Sequence, residues 1–191
     1  MTDYTVRPLD SESWDAYAAL IERHNGVWGG CWCLAFHPQT EERGKSLAGN
    51  RDLKRRLVKD GQAHAAVVFS GDEAVGWCQF GSPQELPNIT HRKEWERLLT
   101  DMPDYRLTCF FVDRDHRRSH VSAIALQGAL DLIAEAGGGL VEGYPYDTGE
   151  KKVNSSFLYN GTRSLFEQAG FTYVRPKGKN HCVMTIEVAP R

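Results

Sequence analysis

The sequence predicts one α/β domain of the α+β kind, a mixed sheet flanked by helices, over residues 1–191. Three observations predict it. Segments with the two-residue period of strands alternate along the chain with segments of helical period. Two β-rich runs in "AHAAVVFSGDEAVGWCQFG" flank the turn "SGDE", and a second such pair closes the chain, so the sheet is not all-parallel. An apolar run, "YRLTCFFV", leads through the basic turn "DRDHRRSH" into an apolar helix. A chain of 191 residues buries a sizeable core and favours one domain.

Taken in order, "YTVRPL" alternates as an opening strand, and "SESWDAYAALIERH" follows as a Ser-capped helix. Its Trp14, Tyr17, Ala18 and Ile21 fall at i, i+3, i+4 and i+7. "NGVWGGCWCLAFHP" breaks all periodicity, with three glycines among Trp28, Trp32 and Phe36. A polar helix is expected over roughly Arg43 to Lys59, stopped by Asp60-Gly61. After the hairpin, "HRKEWERLL" is a short helix within a long connection. "YRLTCFFV" is a buried strand, and "HVSAIALQGALDLIAEAGGG" is a helix with Val121, Ile124, Ala125, Gly128, Leu132 and Ala136 on one face. "LVEGYPY" is a further strand and "TRSLFEQAG" a helix, with "FTYVR" and "HCVMTIEV" as the closing pair.

With 23 basic and 25 acidic residues the chain has no global field to attract nucleic acid. The charges of "NRDLKRRLVK" fit a solvated helix face, with no stacking aromatics between them. No apolar run approaches the length of a membrane span, so neither nucleic acid nor membrane is expected as a partner. The N-terminus lacks the pattern of a signal peptide. Five scattered cysteines fit reduced thiols better than a disulfide framework. A cytoplasmic domain is the expectation.

The order of elements, with its central strand, basic turn and helix, resembles the GNAT superfamily of acyl-CoA-dependent N-acyltransferases over nearly the whole chain. That family's signature is an apolar strand end, x-P-x-x-R, then R/Q-x-x-G-x-G/A opening a helix. Here Val112 ends the strand, Arg114 stands where Pro is common, and Arg117 takes the leading basic position. His120 and Ser122 take the two small-residue positions, and "FEQAGF" stands for the family's Y-E-K-x-G-F. The resemblance implies a mostly antiparallel sheet of six to seven strands. It also implies acetyl-CoA as co-substrate, without a metal, and direct attack by a primary amine on the thioester.

Physical chemistry fits this use of the turn, because the first N–H groups of a helix lack intrahelical partners and carry partial positive charge. A pyrophosphate there would meet the backbone of Arg118, Ser119, His120, Val121, Ser122 and Ala123, aided by the Arg117 and Arg118 side chains. By the resemblance, Phe111 and Val112 hydrogen-bond the pantetheine arm, and the acyl group lies between this strand and "LVEGYPY". A Cβ at His120 or Ser122 crowds a phosphate lying on the backbone.

For the chemistry, Phe166 replaces the tyrosine that family members use as general acid, and Tyr159 lies seven residues earlier, on the same helical face if that helix extends so far but about 10 Å away along the axis. Glu142 and Glu85 are candidate bases acting through water, or ordinary surface carboxylates. Cys109 suits an acyl-enzyme route or an inert core position. Trp28 and Trp32 line an acceptor pocket or plug the core beneath a loop.

His24, Cys31, Cys33 and His37 form H-x6-C-x-C-x3-H, zinc-ligand types in an uncommon spacing. An inactive GNAT-fold module that binds acyl-CoA or another protein is the alternative reading, and the sheet edges leave a homodimer open. The loop is expected to hold no metal. Elemental analysis should find no stoichiometric zinc in protein purified without added metal; zinc lost on His24 or Cys33 replacement would reverse that expectation.

Overall fold

The computed structural model describes residues 3–39, 42–44, 46–149, 153–154 and 157–191. A seven-stranded sheet runs through the molecule in the order β1-β2-β3-β4-β5-β7-β6. Its strands are β1 (Tyr4–Pro8), β2 (His64–Ser70), β3 (Glu73–Gly81), β4 (Tyr105–Val112), β5 (Gly139–Gly143), β6 (Thr172–Lys177) and β7 (His181–Val188). Every pairing is antiparallel except β4 with β5. That parallel pair needs a crossover, which α4 (Val121–Glu135) supplies.

The other helices are α1 (Trp14–Arg23), α2 (Leu47–Lys59), α3 (Arg92–Arg97) and α5 (Arg163–Gln168). One core layer packs α1, α2 and the loop between them on Val67, Phe69, Trp77 and Cys109. The opposite layer packs α4 and α5 on Val68, Val75, Cys78, Leu107 and Phe110. A smaller cluster of Ile89, Trp95, Tyr144 and Val183 lies beneath α3.

One helix differs from expectation in where it begins. The polar helix begins at Leu47, because Gly44 turns into the left-handed region (φ 84°). Ser46 is extended and caps the helix by accepting from the Gly49 N–H at 2.9 Å. Lys45, inside the expected span, lies outside the described residues. On that helix Lys54 is wholly buried, against the expected solvated face.

The last helix begins at Arg163, with the Thr162 side chain as its cap. Its Phe166 is fully buried and meets Phe171 (ring centroids 4.8 Å apart) and Phe110 (5.9 Å) edge to face. Phe166 fills the space above Gly143, where a Cβ would overlap its ring. Gly143→Ala should therefore destabilise the fold by about 2 kcal/mol through overpacking, read as a lowered urea midpoint with an unchanged m-value.

Candidate active site

The local peculiarity of the sheet is where β4 and β5 part. They pair only at Tyr105–Val141, Arg106–Glu142 and Leu107–Gly143. β4 continues to Val112, held on its other side by β3. Its freed edge meets a returning segment of the chain: the Phe110 N–H donates to the Tyr159 carbonyl (2.6 Å), and Asn160 Nδ2 donates to the Thr108 carbonyl (2.5 Å). On its far side the segment is tied to Tyr146, whose N–H donates to the Gly161 carbonyl (2.9 Å). Antiparallel alternation turns the Val112 N–H and C=O toward the same edge as the Phe110 N–H.

Beyond Val112, Asp113 organises the turn. Its Oδ1 accepts from the Asp115 N–H (3.1 Å), and its Oδ2 accepts from Arg23 Nε (2.9 Å) and lies 3.2 Å from His24 Nε2. Arg23 also donates to the Ala74 carbonyl (2.6 Å), so the end of α1 is clamped to β3 and to the end of β4. The His24 ring then stands edge-on to Phe111, with centroids 5.0 Å apart.

Arg117, Arg118, Ser119 and His120 are exposed and lead into α4. Arg118 (φ 66°) and His120 (φ 60°) are left-handed, so the family's glycine at the His120 position also serves a backbone conformation. Histidine tolerates that region better than most residues. No side chain caps α4, which leaves the N–H groups of Val121, Ser122 and Ala123 without intrahelical partners. Unfilled donors, the positive end of a helix dipole and two arginines thus converge at one place.

A cleft of about 570 Å³ joins these parts. Arg117, Arg118, His120, Val121 and Ser122 line one end, Phe110, Phe111 and Val112 the middle, and His24, Trp28 and Tyr159 the aromatic end. Trp28 is 42% exposed and stands edge-on to both Phe111 and Tyr159, with centroids 6.0 Å apart in each case. Among the described residues, the lining has cationic and aromatic side chains and no carboxylate.

The remaining candidates lie elsewhere. Ser119 and Ala123 flank the helix start without lining the cleft. Trp32 is buried and stacked on Trp14 (6.0 Å), so it plugs the core beneath the loop. Glu142 is buried, accepting from Trp95 Nε1 (2.5 Å) and the Tyr144 hydroxyl (2.6 Å). Glu85 lines a separate cavity at the start of β4, paired with His64 at 3.1 Å.

Tyr159 precedes α5 instead of extending it, and reaches the cleft from the segment along β4. Burial, then the nearby Cys109, pushes its phenol above the ordinary value. His24 was singled out in the sequence only as a zinc-ligand type, whereas it lies against Asp113 and Phe111; Asp113 and Asn160 had no sequence signal, since their partners come from distant chain segments. Among the described residues no group of three or more His, Cys, Asp or Glu is arranged to hold a metal.

The parted sheet with an uncapped helix start beside it is the fold of the GNAT acetyltransferases. A GNAT-family acetyltransferase from Streptococcus pneumoniae superposes at a TM-score of 0.56 with 9% identity, covering 98% of this chain and 100% of its own. "Histone acetyltransferase HPA2 and related acetyltransferase" from Corynebacterium glutamicum does so at 0.55 with 17% identity, covering 100% and 98%. The ribosomal-protein-S18-alanine N-acetyltransferase of Escherichia coli matches at 0.52 with 10% identity, covering 99% and 96%. No family model and no curated protein matches the sequence. No helix among the described residues is long and apolar enough to cross a membrane.

Asp113 gives the site a pH signature. Burial alone would raise its pKa, but the Asp115 N–H, His24 and Arg23 overcome that and hold it at about 2. A depressed carboxylate contributes stability that is present above its unfolded pKa, near 3.8, and is lost as pH falls toward 2. Asp113→Asn should be less stable than the parent at pH 6, with the difference shrinking between pH 4 and pH 2. Thermal melts across that range check it.

Proposed function

We propose that this protein is an acyltransferase that passes an acetyl group from acetyl-CoA to a primary amine by direct attack, as a cytoplasmic enzyme. The single observation that carries the reading is the continuity of one cleft from an anion-binding helix start, along an unpaired strand edge, to an aromatic wall. Phosphates fit the Arg117–Ser122 end through backbone donors and two guanidinium groups. The Val112 N–H and C=O offer the pantetheine amides the pairing that a neighbouring strand would give. Phe110, Phe111 and Tyr159 then surround the thioester in a site of low polarity.

The acetyltransferase names of the fold neighbours support the same reaction class. They leave the acceptor open, since the substrates their names give differ, a ribosomal-protein-S18 alanine in one neighbour and histone in another. The buried Phe166 places no proton donor in the cleft. Tyr159 is the hydroxyl nearest in role to a general acid, and its raised pKa keeps it protonated at neutral pH. Glu142 and Glu85, engaged away from the cleft, act on the amine only through intervening water.

The inactive-module reading draws on the Phe110 N–H, which is already bonded to Tyr159 and so is not free to polarise a thioester carbonyl. Release of CoA from acetyl-CoA over a panel of amines decides between the two. Turnover supports the enzyme, whereas CoA binding without turnover on any amine supports the module.

Two outcomes are expected of calorimetry with CoA. Arg117→Ala with Arg118→Ala should weaken binding about tenfold or more, roughly 1.4 kcal/mol, while the exposed pair Arg55 and Lys59 on α2 changes little. His120→Gly should bind CoA more tightly than the parent at pH 8, because glycine suits the left-handed backbone and removes the Cβ beside the phosphate. No gain at pH 8 would mean that the imidazole is accommodated in the cradle. The variant's stability should stay within about 1 kcal/mol of the parent, since relief of the left-handed strain offsets the entropy that glycine adds to the unfolded chain.

A further inference from the structure

Behind the aromatic wall lies a buried polar cluster with no part in the proposed chemistry. Phe111 and Tyr159 pack against the core that holds Cys33, Trp77 and Cys109. Cys33, in the loop between α1 and α2, and Cys109, in the middle of β4, bring their Sγ atoms to 2.8 Å. Both are free thiols and both are buried. A covalent disulfide spans about 2.05 Å, so closing the bond takes less than about 1 Å of movement.

The surroundings favour charge on one of the two sulfurs. Lys54 Nζ is wholly buried, donating to Gln79 Oε1 (2.9 Å) and lying 3.3 Å from His37 Nε2. Burial, and then the Lys54 charge, holds His37 neutral with a pKa of about 2, so it faces the ammonium as an acceptor. Neither of these partners is an anion. Burial lowers the Lys54 pKa below the ordinary lysine value, and the groups that oppose this and favour its charge are thiols, Cys33 first and then Cys109 and Cys31. Burial opposes a Cys33 thiolate, but the Cys109 thiol and the Lys54 ammonium outweigh it, and the Cys33 pKa falls below the ordinary value.

The loop carrying Cys33 packs against the core yet is strained. Asn25, Val27, Trp28, Trp32 and Cys33 all lie in the left-handed region, with φ between 43° and 54°. Side chains are strained there, and a β-branched valine most of all. Local opening of the loop would relieve that strain and give a small solute access to Cys33.

We propose that Cys33 and Cys109 are a redox pair, which hydrogen peroxide converts into a reversible disulfide that staples the α1–α2 loop to β4. The Cys33 thiolate attacks one peroxide oxygen. The O–O bond breaks, leaving a sulfenic acid on Cys33 and a hydroxide that takes up a proton as water. The Cys109 sulfur then attacks the sulfenic sulfur. The S–S bond forms as the S–O bond breaks, and the departing hydroxide takes the Cys109 proton as a second water. Two thiols are oxidised by two electrons and one peroxide is reduced to two waters. The inference stands on the thiols and their surroundings and holds whether or not the cleft transfers acyl groups.

The experiment uses the full chain, reduced, freed of reductant and exposed to hydrogen peroxide at pH 7, followed by alkylation in urea and peptide mapping. A loss of two hydrogens, peptides bearing Cys33 and Cys109 joined to each other, and reversal by dithiothreitol are expected. Cys31→Ser should keep the link and Cys33→Ser should abolish it. Lys54→Met should slow its formation about tenfold, the effect of one pKa unit on the thiolate fraction. The proposal is overturned if both thiols remain fully alkylatable under peroxide that oxidises the urea-unfolded chain. It is equally overturned if Cys33 pairs with Cys31, or if oxygen is added without a cross-link. The mapping on the parent protein decides alone if Lys54→Met does not fold.

Discussion

An unsatisfied backbone edge in the middle of the sheet is the constraint on which the rest of this structure depends. β4 and β5 pair over three residues and then part, exposing β4 from Thr108 to Val112 at the centre of the molecule. A buried N–H or C=O without a partner costs as much as a lost hydrogen bond. The chain meets part of that cost itself, through Tyr159 and Asn160 on Phe110 and Thr108. What is left unfilled, around Val112 and the start of α4, is the cleft. The same geometry that leaves a strand edge and a helix end without partners aligns them for one elongated ligand.

Around this gap the protein keeps its walls in place with buried charge. Asp113 binds the end of α1 to the turn before α4 through Arg23 and His24. On the other side of the parting, Glu142 joins Trp95 and Tyr144, and the Lys177 ammonium lies 4.6 Å from the centre of the Tyr144 ring. Lys177 also donates to the Thr90 carbonyl, and Arg106 stacks 4.3 Å above Trp95. Burial lowers the Lys177 pKa to about 8 although Glu142 favours its charge. Such groups add little net stability over an apolar replacement, but removing one partner strands the other. They fix the relative positions of α3, β5 and β6 more than they strengthen the fold.

The sequence made the scaffold legible and left most of the site hidden. The hairpin around Gly71-Asp72 is a local pattern and is present as read. Ser13 stands at the start of α1 but makes no side-chain cap, its hydroxyl donating to the Pro8 carbonyl instead. On α4, Val121, Ala125 and Gly128 are buried as read, whereas Ile124 and Leu132 are half-buried, Ala136 is exposed, and Leu126, Ala129, Leu130 and Ile133 complete the buried face. The order of strand, basic turn and uncapped helix at the start of α4 was visible for the same reason as the hairpin, because the three are contiguous there. Tyr159 was legible as a candidate hydroxyl but not in its place along β4, and His24 and Asp113 were not visible as partners, because long-range pairing brings them together beside the cleft. Lys54 shows the limit most clearly: in "NRDLKRRLVK" it reads as one more solvated cation, yet it is buried against Gln79 and His37, on a distant strand and loop, with the Cys33 and Cys109 thiols nearby favouring its charge. Phe166 reads as a tyrosine that lost its hydroxyl, yet its closure over Gly143 places the ring in the core, where a hydroxyl would be stranded.

The strand order also bears on how the molecule assembles itself. β2 with β3 and β6 with β7 are near neighbours in sequence, so their closure costs little chain entropy. The parallel contact of β4 with β5 must enclose the whole of α4, and it is repaid by only three residue pairs. The two halves of the sheet can therefore order before they meet, and their seam is the last and least rewarded step of folding. That seam is also where the ligand cleft lies. An occupant bridging it would act as a late folding partner, protecting the amides of β4 and β5 from hydrogen exchange more than those of either hairpin.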